Sequence, residues 1–118
     1  MSPPPRVFHC DDSTAFRVLV REMLHDLGDV EMVGEAGTLP VALAALPDAR
    51  ADVVLVDLFD REREQELLGL IGRAAPDARL LLYTGMPEDR VPEGADGHVH
   101  KSVSFEELNR LIVEAARR

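Results

Sequence analysis

Val53-Val54-Leu55-Val56 is an unbroken apolar run, mostly β-branched, set between Asp52 and Asp57. A run with no polar alternation predicts a strand covered on both faces, as at the centre of a parallel sheet. Arg6-Val7-Phe8-His9-Cys10, Val30 to Glu35, Arg79-Leu80-Leu81-Leu82-Tyr83 and Gly97-His98-Val99-His100 predict four more strands. Between them apolar residues recur at three- and four-residue steps, the mark of amphipathic helices. Phe16, Leu19, Val20, Met23, Leu24 and Leu27 make one series, which Asp12, Ser13 or Thr14 caps and Gly28 stops. Leu67, Leu68, Leu70, Ile71 and Ala74 make another, ending before Pro76, and Leu108, Leu111, Ile112 and Ala115 a last one. Ser104-Phe105-Glu106-Glu107 has the form of a capping box at its start. Val41 to Leu46, behind Thr38, predicts a short alanine-rich helix that Pro47 terminates.

Strand and helix therefore alternate, which predicts a single doubly wound α/β domain: five parallel strands with helices on both sides. The rhythm fails once. From Met86 to Gly94, Pro87 and Pro92 interrupt a mostly polar stretch, so the fourth helix is expected to be shortened or missing. The N-terminal residues 1–5 read as a flexible arm and 6–118 as the domain.

Composition narrows the function classes. The 118 residues suit one domain, and 46% apolar content suits a folded one. A net charge of −9 argues against binding nucleic acid through this surface, which would need basic residues to neutralise phosphates. The single cysteine, Cys10, excludes an internal disulfide and points to a reducing, cytoplasmic compartment. No apolar run reaches the roughly 18 residues of a membrane helix, and Met1 to Arg6 lacks the apolar core of a signal peptide.

The candidate chemistry lies at the strand ends. Asp11 and Asp12, Asp57, Thr84 and Lys101 each follow an apolar run directly. In a parallel α/β sheet these ends share one edge, where ligands bind. Crowded carboxylates repel, and a hard cation such as Mg²⁺, with its preference for oxygen ligands, relieves that repulsion. Lys101 supplies a positive charge for a phosphoryl group or a carboxylate. The Thr84 hydroxyl can donate to the same group, and Gly85 leaves room for it. The set describes a carboxylate that accepts a phosphoryl group.

On the acidic pair Asp11-Asp12, Asp57, Thr84-Gly85 and Lys101, in that order, the chain resembles the response-regulator receiver domains of two-component signalling, from about Arg6 onward. The resemblance implies a flavodoxin-like sheet in the order 2-1-3-4-5. It implies phosphorylation of Asp57 by a sensor histidine kinase or phosphotransfer protein. Mg²⁺ would be held by Asp12 directly, Asp11 largely through water, Asp57 and the Phe59 backbone carbonyl. Lys101 and Thr84 would hold phosphoryl oxygens. The role implied is a phosphoacceptor switch, an enzyme only toward its own phosphorylation and dephosphorylation. A homodimer and a downstream output domain or protein are further partners it implies.

The chain departs from the family pattern at definite places. Phe59-Asp60-Arg61-Glu62-Arg63 stands where a proline–glycine turn is usual, His98 where an aromatic switch residue is usual, and Ser102 where proline often follows the lysine. These departures leave the chemistry intact and alter the output face, which keeps open a degenerate receiver that works as a phosphorylation-independent interaction module. A small aspartate-nucleophile phosphatase is a third class, but it would need an aspartate where Phe59 stands. His98 and His100 share a strand face without the further ligands a zinc site requires, so a half-exposed edge strand is the expectation. His9 is expected to be a buried, hydrogen-bonded imidazole. Asp11-Asp12 alone would be ordinary helix capping, and only the other strand ends give the pair its meaning.

Overall fold

Val53 to Val56 are buried on both faces, as an unalternated strand must be. They form the middle of the sheet in a computed structural model that describes residues 3–57, 63–85 and 92–118. The strands are β1 (Arg6–Asp11), β2 (Glu31–Ala36), β3 (Val53–Asp57), β4 (Arg79–Thr84) and β5 (Gly97–His100). The helices are α1 (Thr14–Leu27), α2 (Leu39–Ala49), α3 (Glu64–Ala74) and α4 (Phe105–Ala116). All strand pairings are parallel and the order is β2-β1-β3-β4-β5, the flavodoxin-like arrangement expected. Among the described residues no helix lies between β4 and β5; residues 86–91 of that connection are outside them.

Alternation along each strand divides the core in two. On one face Val7, Val53, Leu55, Leu81, Tyr83 and Val99 pack against Val20 and Leu24 of α1 and Leu108 and Ile112 of α4. On the other, Phe8, Cys10, Val54, Val56 and Leu80 pack against Ala42 and Leu46 of α2 and Leu68 and Ile71 of α3. Each fully buried Leu, Ile or Phe contributes about 1.5–3 kcal/mol. Gly34 on β2 has a packing reason: a Cβ there would stand 2.7 Å from the Phe8 ring, beside the register shift between Val7 and Phe8.

Helix ends follow their side chains. Ser13 is the N-cap of α1, its hydroxyl accepting from the Phe16 N–H at 3.2 Å, and Gly28 closes the helix at φ 76°. Ser104 caps α4 by accepting from Glu107 N–H at 3.0 Å. The reciprocal half of the capping box does not form, because the Glu107 carboxylate pairs with Arg110 instead. The expected stop at Pro47 is a correction: α2 runs on to Ala49 and closes at Arg50, φ 53°. Proline there removes one intrahelical bond and presses its ring on the carbonyl one turn back, a disturbance that α2 absorbs over its last few residues. The last carbonyls then find a donor in β1, where the Arg6 guanidinium reaches Ala49 O at 3.0 Å and Arg50 O at 3.1 Å.

Candidate functional site

β1 and β3 finish side by side, with Asp11 opposite Asp57 in the parallel register. The Lys101 ammonium, one residue beyond β5, reaches across both, 2.7 Å from Asp11 Oδ2 and 2.6 Å from Asp57 Oδ2. It also lies over the Phe16 ring, 4.4 Å from the centroid, a cation–π contact on the side facing α1. The root of this long side chain is tied to β4 by the bond from Lys101 N–H to Thr84 O at 2.9 Å. Thr84 is buried at the end of β4, at the same edge as the acids. Four strand ends thus meet as expected, with the amine between two carboxylates.

The two adjacent aspartates sit in different surroundings. Asp11 is fully buried. Its Oδ1 accepts from Ser13 N–H at 2.8 Å and its Oδ2 from Lys101. Burial opposes its ionisation, but the hydrogen bonds from this side, with His9 close by, outweigh that and hold the carboxyl below its ordinary value. Asp12 is exposed, and its carboxyl is raised by partial loss of solvent and by the negative charges of Asp11 and Asp57. Lys101 is raised: loss of solvent works against its charge, and the bonds to Asp11 and Asp57 more than compensate. One carboxylate is consumed by the fold, while the other faces solvent and is repelled by its neighbours.

That repulsion, and a donor set made only of oxygens, fits a hard divalent cation. Among the described residues no three acidic, histidine or cysteine side chains form a ready-made metal cage. Mg²⁺ does not require one, since it keeps several waters and binds through one or two carboxylates. The Phe59 carbonyl, expected as a further ligand, lies outside the described residues.

Arg17 is a supporting residue that the sequence reading missed. Its guanidinium donates to Asp11 O at 2.5 Å and pairs with Glu35 of β2 at 3.3 Å, while Arg21 also reaches Glu35, at 2.8 Å. It ties the start of α1 to the end of β1 and to β2. Phe16 was expected only as core. A polar residue beside Phe16, within a turn of the cap, was the available signal.

His9 corrects an expectation. It is fully buried, but neither ring nitrogen has a hydrogen-bond partner among the described residues. Its Nε2 is 3.7 Å from Asp11 Oδ2, too far to bond, because that oxygen is drawn to Lys101. The imidazole lies instead against the Phe16 and Tyr83 rings, at 6.2 and 6.1 Å between centroids. His98 and His100 are half-buried on β5, an edge strand as expected.

Tyr83 yields a stability prediction. Its hydroxyl is buried without a hydrogen-bond partner among the described residues, and burial, then the Asp11 charge, pushes it up to about 12. A group raised on folding contributes stability that is complete below its unfolded value, near 10, and is lost as pH climbs to the folded value. Urea unfolding of the native chain should therefore show about 2–3 kcal/mol of loss from this group between pH 9 and 12. Tyr83→Phe should lack that loss and be as stable at pH 7, or about 1 kcal/mol more so, with no unpaired hydroxyl to bury. A variant clearly weaker at pH 7 would contradict the unpaired hydroxyl.

No family model matches the chain. Over 114 residues, 91% of this chain and 52% of the relative, it is 32% identical to the DNA-binding transcriptional activator DevR/DosR of Mycobacterium tuberculosis. The chain spans about half the length of the curated relatives it matches. Its fold is similar to a CheY-like response regulator receiver domain protein from Methanospirillum hungatei. The TM-score is 0.78 at 25% identity, covering 98% of this chain and 95% of the other. It is also similar in fold to a Burkholderia pseudomallei response regulator protein with a phosphorylated aspartic acid, calcium ion and citrate. There the TM-score is 0.76 at 22% identity, over 96% of this chain and 69% of that one.

Proposed function

We propose that the chain is a response-regulator receiver domain, a reading its similarity to DevR/DosR and to a CheY-like receiver supports, and that Asp57 accepts a phosphoryl group from a sensor histidine kinase or phosphotransfer protein. The observation that carries this reading is the Lys101 amine, within 2.7 Å of carboxylates from two different strands at the sheet's reactive edge. Residues 6–118 would be the signalling unit and 1–5 a leading arm.

The steps follow from the side chains. Asp57 Oδ attacks the donor's phosphorus, the P–N or P–O bond of the donor breaks, and an acyl phosphate forms on Asp57. Its carboxylate is accessible enough to be reached, with its side chain 13% exposed. Lys101 then exchanges one carboxylate contact for a phosphoryl oxygen while keeping Asp11, and Thr84 donates its hydroxyl from the next strand. Mg²⁺, when bound by Asp12, Asp57 and the Phe59 carbonyl, with Asp11 behind water, would neutralise charge building on the phosphoryl oxygens. The modified Asp57 adds negative charge beside a lysine that already bridges two strands, and this local change biases the surface that partners read. The role is that of a signalling domain, not of an enzyme acting on other molecules. By analogy with the longer DNA-binding relative, an output domain or a separate protein would receive the signal, and a second copy of the chain, in a homodimer, is a further partner in this reading.

The test is incubation with a small acyl phosphate with and without Mg²⁺. One phosphoryl mass should appear on the peptide bearing Asp57, and chelation of Mg²⁺ should remove it. An unlabelled protein under conditions where a known receiver labels fully would end the reading. A degenerate receiver is the second reading, favoured by His98 on β5 in place of an aromatic residue. A beryllofluoride adduct that changes neither oligomeric state nor partner affinity would support it.

A further inference from the structure

β5 is a short edge strand, bonded to β4 alone, yet it must aim a long lysine across β4 at acids on β3 and β1. Its ladder ends at Thr84 opposite His100, and the last backbone bond is the one from Lys101 N–H to Thr84 O. A strand end held this lightly frays unless side chains secure it. One side chain stands where it can do so on both flanks. His100 Nε2 is 3.0 Å from Gly85 O, the carbonyl immediately after Thr84. His100 Nδ1 is 3.0 Å from Ser102 N and 2.7 Å from Ser102 Oγ, immediately after Lys101.

The network sets the tautomer. Ser102 N–H can only donate, so Nδ1 is the acceptor and the ring proton sits on Nε2, which donates to the Gly85 carbonyl. A neutral imidazole satisfies both contacts at once. Resting on the phosphoryl-acceptor reading, we propose that His100 is a positioning residue. By clipping Gly85 to Ser102, it fixes the spacing between Thr84 and Lys101, the two groups that must close on a phosphoryl group at Asp57. The clip is a feature of this chain's own residues: it requires an imidazole just before the lysine and a backbone N–H just after it, here that of Ser102, whose hydroxyl adds a further contact. Proline at 102 has no N–H to donate, so the Ser102 departure from the family pattern is what makes the second arm available.

Two substitutions of His100 separate the arms. In H100Q the side-chain amide extends an NH₂ group to about where Nε2 lies and keeps the bond to Gly85 O. In H100F a ring of similar size remains and both bonds are lost. The experiment is beryllofluoride binding in saturating Mg²⁺ to the whole chain and to H100Q and H100F, with Mg²⁺ affinity measured separately and the Ser102 and Gly85 amides followed by NMR. We expect H100F to bind the phosphoryl mimic about tenfold more weakly. H100Q, which keeps the Gly85 arm and loses the Ser102 arm, should fall between the two, about threefold weaker than the native chain. Mg²⁺ affinity, which depends on the acids, should be unchanged in both. The Ser102 amide should move upfield in each variant as its bond to Nδ1 is lost. H100F binding the mimic as well as the native chain would overturn the clip and leave phosphoryl acceptance standing. Failure of the native chain to bind the mimic at all would overturn both together.

Discussion

Asp57→Asn is expected to lower phosphoryl incorporation by roughly a hundredfold or more, with the fold intact. An amide oxygen of the same shape is a poor nucleophile, and among the described residues no other carboxylate at the edge can replace it. Asp11 is fully buried and bonded through both oxygens. Asp12 is exposed, but it lies one residue beyond the strand end that faces Asp57. Stability should change by no more than about 1 kcal/mol, because the lost attraction to Lys101 is offset by relief of repulsion from Asp11. Lys101 retains Asp11 at 2.7 Å in any case. Intact-mass measurement after exposure to an acyl phosphate, beside a urea titration, checks both parts. A variant that labels as fully as the native chain would place the acceptor elsewhere. One that labels poorly because it has unfolded would show it in the titration, and Asp57→Glu, which keeps the charge, would then separate folding from chemistry.

How much of this was legible in the sequence depends on the range of the interaction concerned. Short apolar runs gave away the sheet and the unbroken one, Val53 to Val56, its centre, since a strand buried on both faces leaves no room for polar alternation. The edge-wise gathering of Asp11, Asp57, Thr84 and Lys101 followed from one rule, that parallel strands deliver their C-terminal ends to one side. What the sequence concealed was long-range and particular. Pro47 looks like a terminator locally, and only the Arg6 guanidinium, distant in the chain but adjacent in the fold, shows where the carbonyls of α2 are satisfied. Glu107 fits a capping box by spacing, yet Arg110 one turn on is the stronger partner for a carboxylate. His9 was expected to find a bond because buried polar groups usually do. The nearest oxygen had already been taken by Lys101, which is distant in the chain. Asn109, buried in α4 and donating to Asp29 at 2.8 Å, is a contact of the same kind that no periodicity announces.

Substituting the two adjacent aspartates one at a time should give opposite results, and the difference carries the metal proposal. Asp12→Asn should weaken Mg²⁺ binding about tenfold or more and leave the melting temperature within about 2 °C, since the side chain is exposed and no ion pair holds it among the described residues. Removing its charge also removes a repulsion, because Asp11 and Asp57 both press on Asp12. Asp11→Asn should lower stability by about 2–3 kcal/mol, at or just below the bottom of the range for breaking a buried ion pair, because Lys101 keeps Asp57. For a domain of this size that is a fall of about 8–15 °C. An asparagine there can still accept from Ser13 N–H, but turning its amide toward Lys101 would set donor against donor, and turning it the other way would abandon Ser13. Mg²⁺ affinity in Asp11→Asn, measured well below its melting temperature, should fall less than in Asp12→Asn. Calorimetric Mg²⁺ titration and thermal melts of both proteins decide the matter. Equal losses of Mg²⁺ affinity with equal melting temperatures would mean that the pair acts as one ligand set, and that the buried ion pair does not hold the strand end.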